Sequence, residues 1–364
     1  MNSNGEDDQI VLKINGQKYE GWTDMEIETG LKECSSVITM PVSERWAGKT
    51  PPTPWQINRY DKVTVSIGDD LILTGYVDAY NPSYSADDHN VRITVQSKTC
   101  DLVDCMPEVA GGSFAGSKLD AIARTICGKL GIDVVVEADV GDPFPDATME
   151  KTETAFTFLE RLARFRAVLL TDNEKGDLVI TIAGKGGASS GALIQGENIL
   201  AASATLNAHN LFQQYVVLSQ APLAYDGQEV HTDWQGEYTD PNCPRYRRFV
   251  EMAEDPLSVD QANDRAKWRA RHNLAEATQA SVSVQGFRQP DGSLWKKNQT
   301  VPVNSAWLGL DRTLLIGGIK FSMSNAGGRQ THLSVAPPEL FTLEPAKGSA
   351  GNSAHQWTGD LKKG

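Results

Sequence analysis

The fold is decided by residues 60–105, which read YDKVTVSIGDDLILTGYVDAYNPSYSADDHNVRITVQSKTCDLVDC. Apolar side chains occupy every second position in three segments of this stretch, at residues 63–67, 71–73 and 91–95. Such alternation lets each segment bury one face of a strand, and Gly68-Asp69-Asp70 supplies a turn between the first two segments. The stretch therefore predicts an antiparallel meander.

A similar pattern returns far downstream. Residues 298–303 (NQTVPV) lead to residues 314–321 (LLIGGIKF), and a loop with Gly327-Gly328 precedes residues 331–335 (THLSV). In both copies an aliphatic triplet, a glycine and a β-branched residue come before a polar loop and an alternating strand. This similarity predicts an internal duplication, with the alternative that any two β-meanders look alike.

Further strands are predicted before the first meander. Residues 9–14 and 18–22 flank Asn15-Gly16, a dipeptide favoured in tight hairpin turns, and alternation continues at residues 25–28 and 34–41. The segment from Trp46 to Trp55 is rich in proline, which lacks the N–H donor, and is predicted to be a loop. Residues 9–97 thus predict an antiparallel barrel or sandwich of about six to eight strands.

Three helices are predicted from apolar spacing. They cover residues 117–130, which end at Gly131, residues 155–166, and a segment that begins with the capping box Ser258 and Gln261 and buries Val259, Ala262, Ala266, Ala270 and Leu274. Residues 184–191 are rich in glycine and serine and predict a flexible joint. Gln214 to Ser219 is interpreted as the first strand of a second barrel.

The predicted fold class is mainly β with α+β inserts, in which two similar antiparallel β-barrels accompany smaller α/β domains. The domain boundaries that follow are a first barrel at 9–100, an α+β insert at 101–185, a second barrel at 190–220 and 279–342, a helix-containing insert at 221–278, and a flexible C-terminal tail at 343–364.

Composition narrows the possible functions. The chain has 364 residues and a formal net charge of −13, which disfavours adhesion to DNA or to an anionic membrane. The acidic amino terminus lacks a secretory signal, and no apolar run approaches the roughly 18 residues of a membrane helix, so synthesis and initial residence in a cytoplasm are expected. The scattered cysteines Cys34, Cys100, Cys105, Cys127 and Cys243 are interpreted as small core residues rather than disulfides or metal ligands.

Several stretches imitate catalytic or binding motifs. Residues 111–118 resemble a phosphate-binding loop, but their Ser precedes their Lys, so a helix-capping loop is favoured. Residues 172–177 imitate a calcium loop, but the glycine is misplaced and no closing glutamate follows, so a hairpin turn is favoured. A glycosidase pair could be drawn from Asp139, Asp142, Asp146 and Glu150, although a solvated loop explains these acids better.

No reaction centre emerges from the remaining residues. The six histidines, at 89, 209, 231, 272, 332 and 355, stand outside any triad or zinc motif. The one compact basic cluster, Arg245, Arg247 and Arg248, suits a salt-bridged interface better than nucleic acid. No catalytic, cofactor-binding or metal-ligating residue is therefore assigned, and no cofactor is expected.

Several features in order along the chain resemble the baseplate hub proteins of contractile-tailed phages, most closely the tail proteins of Mu-like phages. More distantly, the chain resembles the hub part of type VI secretion spike proteins. The features that carry the resemblance, which covers residues 9–342, are Trp22, Gly75 to Asp78, Cys100 to Cys105, Phe158 to Ala163, Asp172 to Leu178, Gly286 to Trp295, Asn298 and Leu314 to Ile316.

The resemblance implies two similar barrels with α+β inserts, assembled as a homotrimer. Such a pseudo-sixfold ring would join the tail tube or adjacent baseplate proteins to the central spike, and an acidic lining would let DNA pass without specific binding. The chain ends soon after Pro337-Pro338, so a separate spike protein is expected. The implied location is the virion baseplate, with assembly in the host cytoplasm.

The sequence leaves two other functions open. One is a tail-associated cell-wall hydrolase that uses Asp142 and Asp146, and the other is a carbohydrate-binding attachment module that contacts sugar through exposed aromatic residues such as Trp46 and Trp55. The preferred interpretation is a structural adaptor that is not an enzyme and does not insert into a membrane.

Overall fold

The structure is a computed structural model, and it describes residues 8–19, 24–43, 57–84, 89–109, 112–220, 233–253 and 257–343. Its strands are β1 (Ile10–Ile14), β2 (Gln17–Tyr19), β3 (Met25–Gly30), β4 (Val37–Ser43), β5 (Lys62–Ile67), β6 (Asp70–Tyr84), β7 (His89–Ser97), β8 (Val134–Val136), β9 (Leu169–Asp172), β10 (Leu178–Thr181), β11 (Leu193–Ile194), β12 (Ile199–Leu206), β13 (Gln214–Gln220), β14 (Asp233–Thr239), β15 (Arg248–Met252), β16 (Thr278–Gln285), β17 (Thr300–Ser305), β18 (Leu310–Ser324) and β19 (Gly328–Ala336). Its helices are α1 (Cys100–Asp104), α2 (Leu119–Lys129), α3 (Ala155–Phe165) and α4 (Val259–Glu276), with a 3-10 turn at Pro338–Phe341.

Strands from both halves of the chain form one large, mainly antiparallel sheet. Its order is β12-β16-β19-β18-β3-β4-β7-β6-β5-β1-β2, with β17 beside β18 and β11 beside β17. Alternate residues of these strands turn to one side and share a single apolar core, to which Leu12, Ile27, Ile93, Val282 and Phe287 contribute. The predicted mainly β fold is confirmed, and removal of these side chains from water supplies its main stabilisation.

Two copies of one strand motif make up this sheet. The first repeat contains β5, β6 and β7 with β4 beside β7, and the second contains β17, β18 and β19 with β16 beside β19. The three consecutive strands have six, fifteen and nine residues in both repeats. A further strand flanks each motif, β3 beside β4 and β12 beside β16.

The two repeats also share their backbone irregularities. Tyr60 (φ 72°) and Asn298 (φ 67°) adopt the left-handed conformation just before the first strand, and each donates its N–H over 2.8 Å to a carbonyl of the long strand, that of Val77 or of Ile316. Directly after those two acceptors the ladder to the next strand shifts by one residue. A non-glycine residue with positive φ is uncommon, so its recurrence at matching places confirms the predicted duplication.

The expected two separate, closed barrels are not what the described strands form. Strand β3 of the first repeat pairs with β18 of the second, and the resulting sheet runs without closure from β12 to β2 in the described ranges. The sequence could not reveal this, because alternation fixes which face of a strand is buried but not whose strand lies beside it.

The interpretation of Gln214 to Ser219 as a strand of the second barrel is wrong. Strand β13 lies between β14 and β15 in a separate three-stranded sheet, where Tyr215, Val216 and Val217 are buried in succession. The place in the large sheet is taken by β12, whose sequence ILAASATL has weak alternation and is mostly exposed. Runs of apolar residues predict a strand but do not identify its sheet.

The first insert is a small α/β unit. Helices α2 and α3 pack with the sheet β8-β10-β9 around a second apolar core that includes Ile122, Ile126, Phe158 and Leu162. The Thr154 hydroxyl caps α3 by accepting the Thr157 N–H at 3.2 Å. Both predicted helices are confirmed to within two residues at each end.

The second insert lies between β12 and β16. Helix α4 covers the sheet β14-β13-β15 and buries Ala262, Ala266 and Ala270, and its predicted capping box is present. Val259, predicted for the same face, is 48% exposed because it begins the helix, ahead of the turns that meet the sheet. None of the helices in the described ranges has the length and apolar character needed to cross a membrane.

Candidate functional site at the junction of the repeats

A buried carboxylate lies where the first repeat, the first insert and the second repeat meet. The side chain of Asp172, at the end of β9, is only 1% exposed. Its Oδ1 accepts hydrogen bonds from Lys297 Nζ at 2.6 Å and Ser36 Oγ at 2.9 Å, and its Oδ2 accepts the Ser36 N–H at 2.9 Å. We call Ser36, Thr171, Asp172 and Lys297 the junction cluster.

The ammonium group of the junction cluster is also fully engaged. Lys297 Nζ donates to Thr171 Oγ1 at 2.9 Å and to the Gly30 carbonyl at 3.3 Å, in addition to Asp172. Because a lysine carries three donors, this cation has no donor left for a substrate. A buried charge pair is tolerated only with such additional hydrogen bonds, so the arrangement is suited to holding three parts of the chain together rather than to proton transfer.

The Cys34 thiol, beside the junction cluster, is unreactive. Burial raises the pKa of the Cys34 thiol, and the negative charge of Asp172 raises it further. Since the thiolate is the reactive form, Cys34 is inert at neutral pH.

Asn298 ties the second repeat to the segment that follows the first insert. Its Nδ2 donates to the Ile182 carbonyl at 2.9 Å, and its Oδ1 accepts the Gly184 N–H at 2.7 Å. A Cβ added to Gly186 would lie 2.8 Å from the Asn298 carbonyl oxygen, so the backbones approach too closely for any larger residue. The glycine-rich stretch 184–191 is therefore anchored against β17, and the predicted flexible joint is wrong.

The seam between the repeats is the ladder of β3 and β18. It runs from Gly30 opposite Gly318 to Met25 opposite Met323, and Lys320 Nζ lies 2.9 Å from Glu26 Oε1 on its exposed face. Arg288 donates to Asp8 at 2.8 Å and to Asp70 at 2.7 Å, which joins the loop before β17 to the first repeat. Ladder, junction cluster and ion pairs together fix one repeat against the other.

Known proteins match this chain along most of its length. Three family models match, described as the Mu phage baseplate assembly protein GpP-like N-terminal domain (residues 9–96), the baseplate hub protein gp44-like second domain (99–182) and the Mu phage baseplate assembly protein GpP fourth domain (258–344). The crystal structure of the prophage MuSo2 43 kDa tail protein from Shewanella oneidensis is 33% identical, with a TM-score of 0.80 over 92% of this chain and 99% of that one. The chain belongs to the family of Mu-like phage baseplate hub proteins.

Other members and neighbours of the hub family agree with this assignment. The baseplate hub protein gp44 of Escherichia phage Mu is 26% identical over 92% of this chain and 89% of its own length. The E. coli c3393 protein, a component of the type VI secretion system, shares the fold, with a TM-score of 0.55 at 14% identity. The resemblance to phage hubs and to secretion spike proteins is thus confirmed, and the family is one of tail baseplate components.

The carboxylates considered for a glycosidase pair lie on an exposed loop of this hub protein. Asp139, Asp142, Asp146 and Glu150 are all exposed. Asp139 accepts the Gly141 N–H at 2.9 Å and Asp146 accepts the Thr148 hydroxyl at 3.0 Å, so both carboxylates stabilise local turns. This local role favours the solvated loop over a catalytic pair, which would need one acid held in an apolar setting.

The two stretches that resemble a phosphate-binding loop and a calcium-binding loop also have structural roles. In the loop before α2, the N–H groups of Phe114 and Gly116 donate to the Ala147 and Phe144 carbonyls, so they point away from any phosphate. Residues 172–177 form the β9–β10 hairpin, as predicted. In the described ranges no three His, Cys, Asp or Glu side chains are grouped as a metal site would require.

The cysteines differ in burial. Cys34 and Cys127 are buried as predicted, whereas Cys100, Cys105 and Cys243 are only half-buried. Burial raises the pKa of Cys100 to about 12, with a further contribution from Asp101. Cys100 begins helix α1, Cys105 follows it directly and Cys243 lies in a loop, so no long apolar period marks these positions in the sequence.

The basic cluster is partly used within the chain. Arg247 donates to the His209 carbonyl at 2.7 Å and also to that of Ala208, and it lies over the Phe212 ring at 4.8 Å. Arg245 and Arg248 are exposed, and their predicted role at an interface stays a prediction. The described residues do not include Trp22, Trp46, Trp55, His231, His355 or residues 344–364 of the predicted tail.

Sequence reasoning missed the junction cluster. In the sequence, Asp172 stands out as a turn residue and as the start of the stretch 172–178 that resembles phage hubs, and Lys297 has no distinguishing signal. The available signal was the place of Asp172 at the end of the short strand LLTD, directly after two leucines. A carboxylate that such a buried strand takes out of water needs a cation as partner.

Proposed function

We propose that this chain is a structural adaptor that forms a homotrimeric ring in the tail baseplate and joins the sixfold tube to the threefold spike. The supporting observation is the repeated motif within one chain. Three copies would present six similar units, and we expect each unit to curl into a barrel-like wall of the ring. Closed rings of identical chains are the ordinary outcome when head-to-tail contacts repeat with a closing rotation.

The adaptor works through interfaces and not through a reaction centre. The polar groups buried at the junction are saturated by one another, which supports a scaffold role. The net charge of −13 would repel the DNA backbone, so DNA could pass through the ring without adhering. We expect assembly in the host cytoplasm, without membrane insertion by this chain.

The proposed partners are the tube, or the baseplate proteins next to it, and a separate spike protein. One neighbour supports this choice, because the c3393 protein is described as similar to the T4 tail proteins gp27 and gp5. Its fold is shared by this chain, so contacts of the same general kind are proposed here.

The oligomeric state tests the adaptor. We expect native mass spectrometry to give three times the monomer mass, with a ring of apparent sixfold outline in negative-stain images. A protein that stays monomeric at every concentration, and also with tube and spike subunits present, would overturn the proposal.

The rival hydrolase makes a different prediction. Replacing Asp142→Asn and Asp146→Asn together should leave both assembly and any wall cleavage by assembled particles unchanged, because both acids are exposed loop residues. Cleavage lost with assembly intact would favour the hydrolase.

A further inference from the structure

The pairing of β3 with β18 has a counterpart whose two strands, β12 and β6, do not pair with each other in the described part of the chain. One row of paired residues crosses the first repeat from Ile27 through Ile38 and Val95 to Val77. The matching row of the second repeat runs from Ala204 through Ala280 and Val335 to Ile316. Strand β12 is therefore the equivalent of β3, and β6 is the equivalent of β18.

Only one of these two strand pairs is made inside the chain. Strand β3 pairs with β18, whereas β12 and the second half of β6 each have one side on which no other described strand lies. The pairing of β6 with β5 ends before residue 78, since the last contacts of β6 on that side are those of Tyr76 and Val77. The described part of the chain thus presents two strand edges, on β12 and on β6, which correspond to the two strands of the β3–β18 pair.

The edge of β12 lacks the usual protection against strand addition. Its sequence ILAASATL carries no charge, and Leu200 and Leu206 are 52% and 56% exposed. Natural edge strands normally carry a lysine, another charge or a covering loop, because bare edges join other strands. Asn207 donates its N–H to the Ala277 carbonyl on the β16 side, so the N–H groups of Ala204 and Leu206 point to the open side.

The edge of β6 matches in polarity and burial. Ala79, Tyr80 and Asn81 are uncharged, and Tyr80 is a partly buried residue packed against the main core. The register of β6 on β7 turns the backbone of residue 80 and the nitrogen of Pro82 towards the open side. A proline there is tolerated within the chain because its missing donor faces outward.

We propose that β12 of one copy adds antiparallel to the outer side of β6 of the next copy, with Leu206 opposite Tyr80 and Thr205 opposite Asn81. The register follows from the seam, where Ile27 pairs with Phe321, five residues after Ile316. Five residues after Val77 is Pro82, which places Ala204 opposite Pro82. The inference rests on the ring proposed above and assigns its contact between chains.

The contact repeats the internal seam but is weaker. Leu206 and Tyr80 exchange two backbone hydrogen bonds, and Ala204 donates to the Pro82 carbonyl, but Pro82 cannot return a bond. The contact of β12 with β6 between chains has the same form as the contact of β3 with β18 within a chain. The two contacts therefore alternate around the ring, and the ring closes after three copies. The two segments that pair, residues 204–206 and 80–82, carry no charge and impose no repulsion across the contact.

A disulfide across this contact tests the register. Thr205 and Asn81 form a non-hydrogen-bonded pair in the proposed ladder, where Cβ atoms are about 4.5–5.5 Å apart, close enough for a disulfide after a small adjustment. We expect the double variant Thr205→Cys and Asn81→Cys, oxidised as the full-length assembled protein, to give covalent dimers and trimers on a denaturing gel. The wild type controls for the native cysteines, and each single variant controls for random collisions.

A second pair separates this edge from the rival edge at β2. Thr205→Cys combined with Lys18→Cys should stay uncrosslinked. If that pair crosslinks while the Asn81 pair does not, or if neither does in a protein that native mass shows to be trimeric, the seam assignment is wrong while the ring stands. A protein that is monomeric under all assembly conditions removes the ring and the seam together.

A backbone variant tests the same contact without a crosslink. Ala204→Pro removes an outward N–H and should convert trimers to monomers with the melting temperature of the monomer unchanged. Thr205→Pro removes an N–H that faces β16, so it should lower that temperature instead. A trimer that survives Ala204→Pro would overturn the assigned pairing.

Discussion

The two repeats share a strand ladder, but they differ in the segment that joins its outermost strand, β3 or β12, to the next strand, β4 or β16. In the first repeat residues 31–36 join β3 to β4, whereas in the second the whole unit of β13, β14, β15 and α4 lies between β12 and β16. The ladder is unaffected, because both connections start and end at neighbouring strand ends. The difference teaches that pairing is fixed by the strands themselves, while long connections cost little extra closure entropy.

The repeats also differ in how they are held. The first repeat contributes β3 to the seam and Ser36 to the junction cluster, and among the described strands it leaves the second half of β6 at an edge. The second repeat contributes β18 and Lys297 to these contacts but leaves β12 at an edge. Removal of single contacts can therefore show which of them hold the two repeats together.

The largest effect is expected from Lys297→Ala. This change leaves the Asp172 carboxylate buried without its cation, and breaking a buried pair in this way costs about 3–5 kcal/mol of unfolding free energy. Urea denaturation of the wild type and of Lys297→Ala, monitored by tryptophan fluorescence, measures the difference in unfolding free energy.

The matched control for that experiment is Lys320→Ala in the seam. The Lys320 and Glu26 side chains are 35% and 58% exposed, and such surface pairs contribute about 0–1 kcal/mol. If both variants lose the same stability, the junction cluster is not what fastens the repeats together.

A smaller effect should distinguish the two long strands. A Cβ added to Gly75 of β6 would overlap the Gln96 backbone carbonyl, so Gly75→Ala must push β6 from β7, at about 1–3 kcal/mol. In β18 a Cβ added to Gly318 would meet Ser334 Cβ at an ordinary 3.5 Å, so Gly318→Ala should change stability by less than about 0.5 kcal/mol. Equal denaturation midpoints for the two variants would contradict the close approach of the β6 and β7 backbones at Gly75.

Much of the fold could be predicted from the sequence. The alternation in residues 63–67 and 91–95 predicted β5 and β7, apolar spacing predicted α2, α3 and α4, and the capping box marked the start of α4. These are local signals, since the period of the apolar residues and the cap chemistry are set within one element. The likeness between residues 60–105 and residues 298–335 predicted the repeated architecture, and the family resemblance agreed with it.

The contacts between elements could not be predicted in the same way. Nothing in β13 distinguishes a strand of the large sheet from one of a small sheet, and β12 has too little alternation to be recognised. The junction cluster joins residues 36, 172 and 297, which are brought together only by the tertiary fold. The glycine-rich stretch 184–191 looked flexible by composition, but its order comes from Asn298.

The smallest predicted effect concerns pH and only the second repeat. His272 of α4 packs on the 3-10 turn after β19, with Nδ1 3.3 Å from the Glu339 carbonyl, and burial lowers its pKa from 6.5. As pH falls below about 6.5 the unfolded chain gains the proton first, so stability falls until the lowered folded pKa is passed, by less than about 1.4 kcal/mol per pH unit. His272→Gln should flatten this part of the dependence of melting temperature on pH. An unchanged slope in His272→Gln would mean that the contact between α4 and the turn opens before the repeats unfold, and the second repeat would then be the less firmly closed of the two.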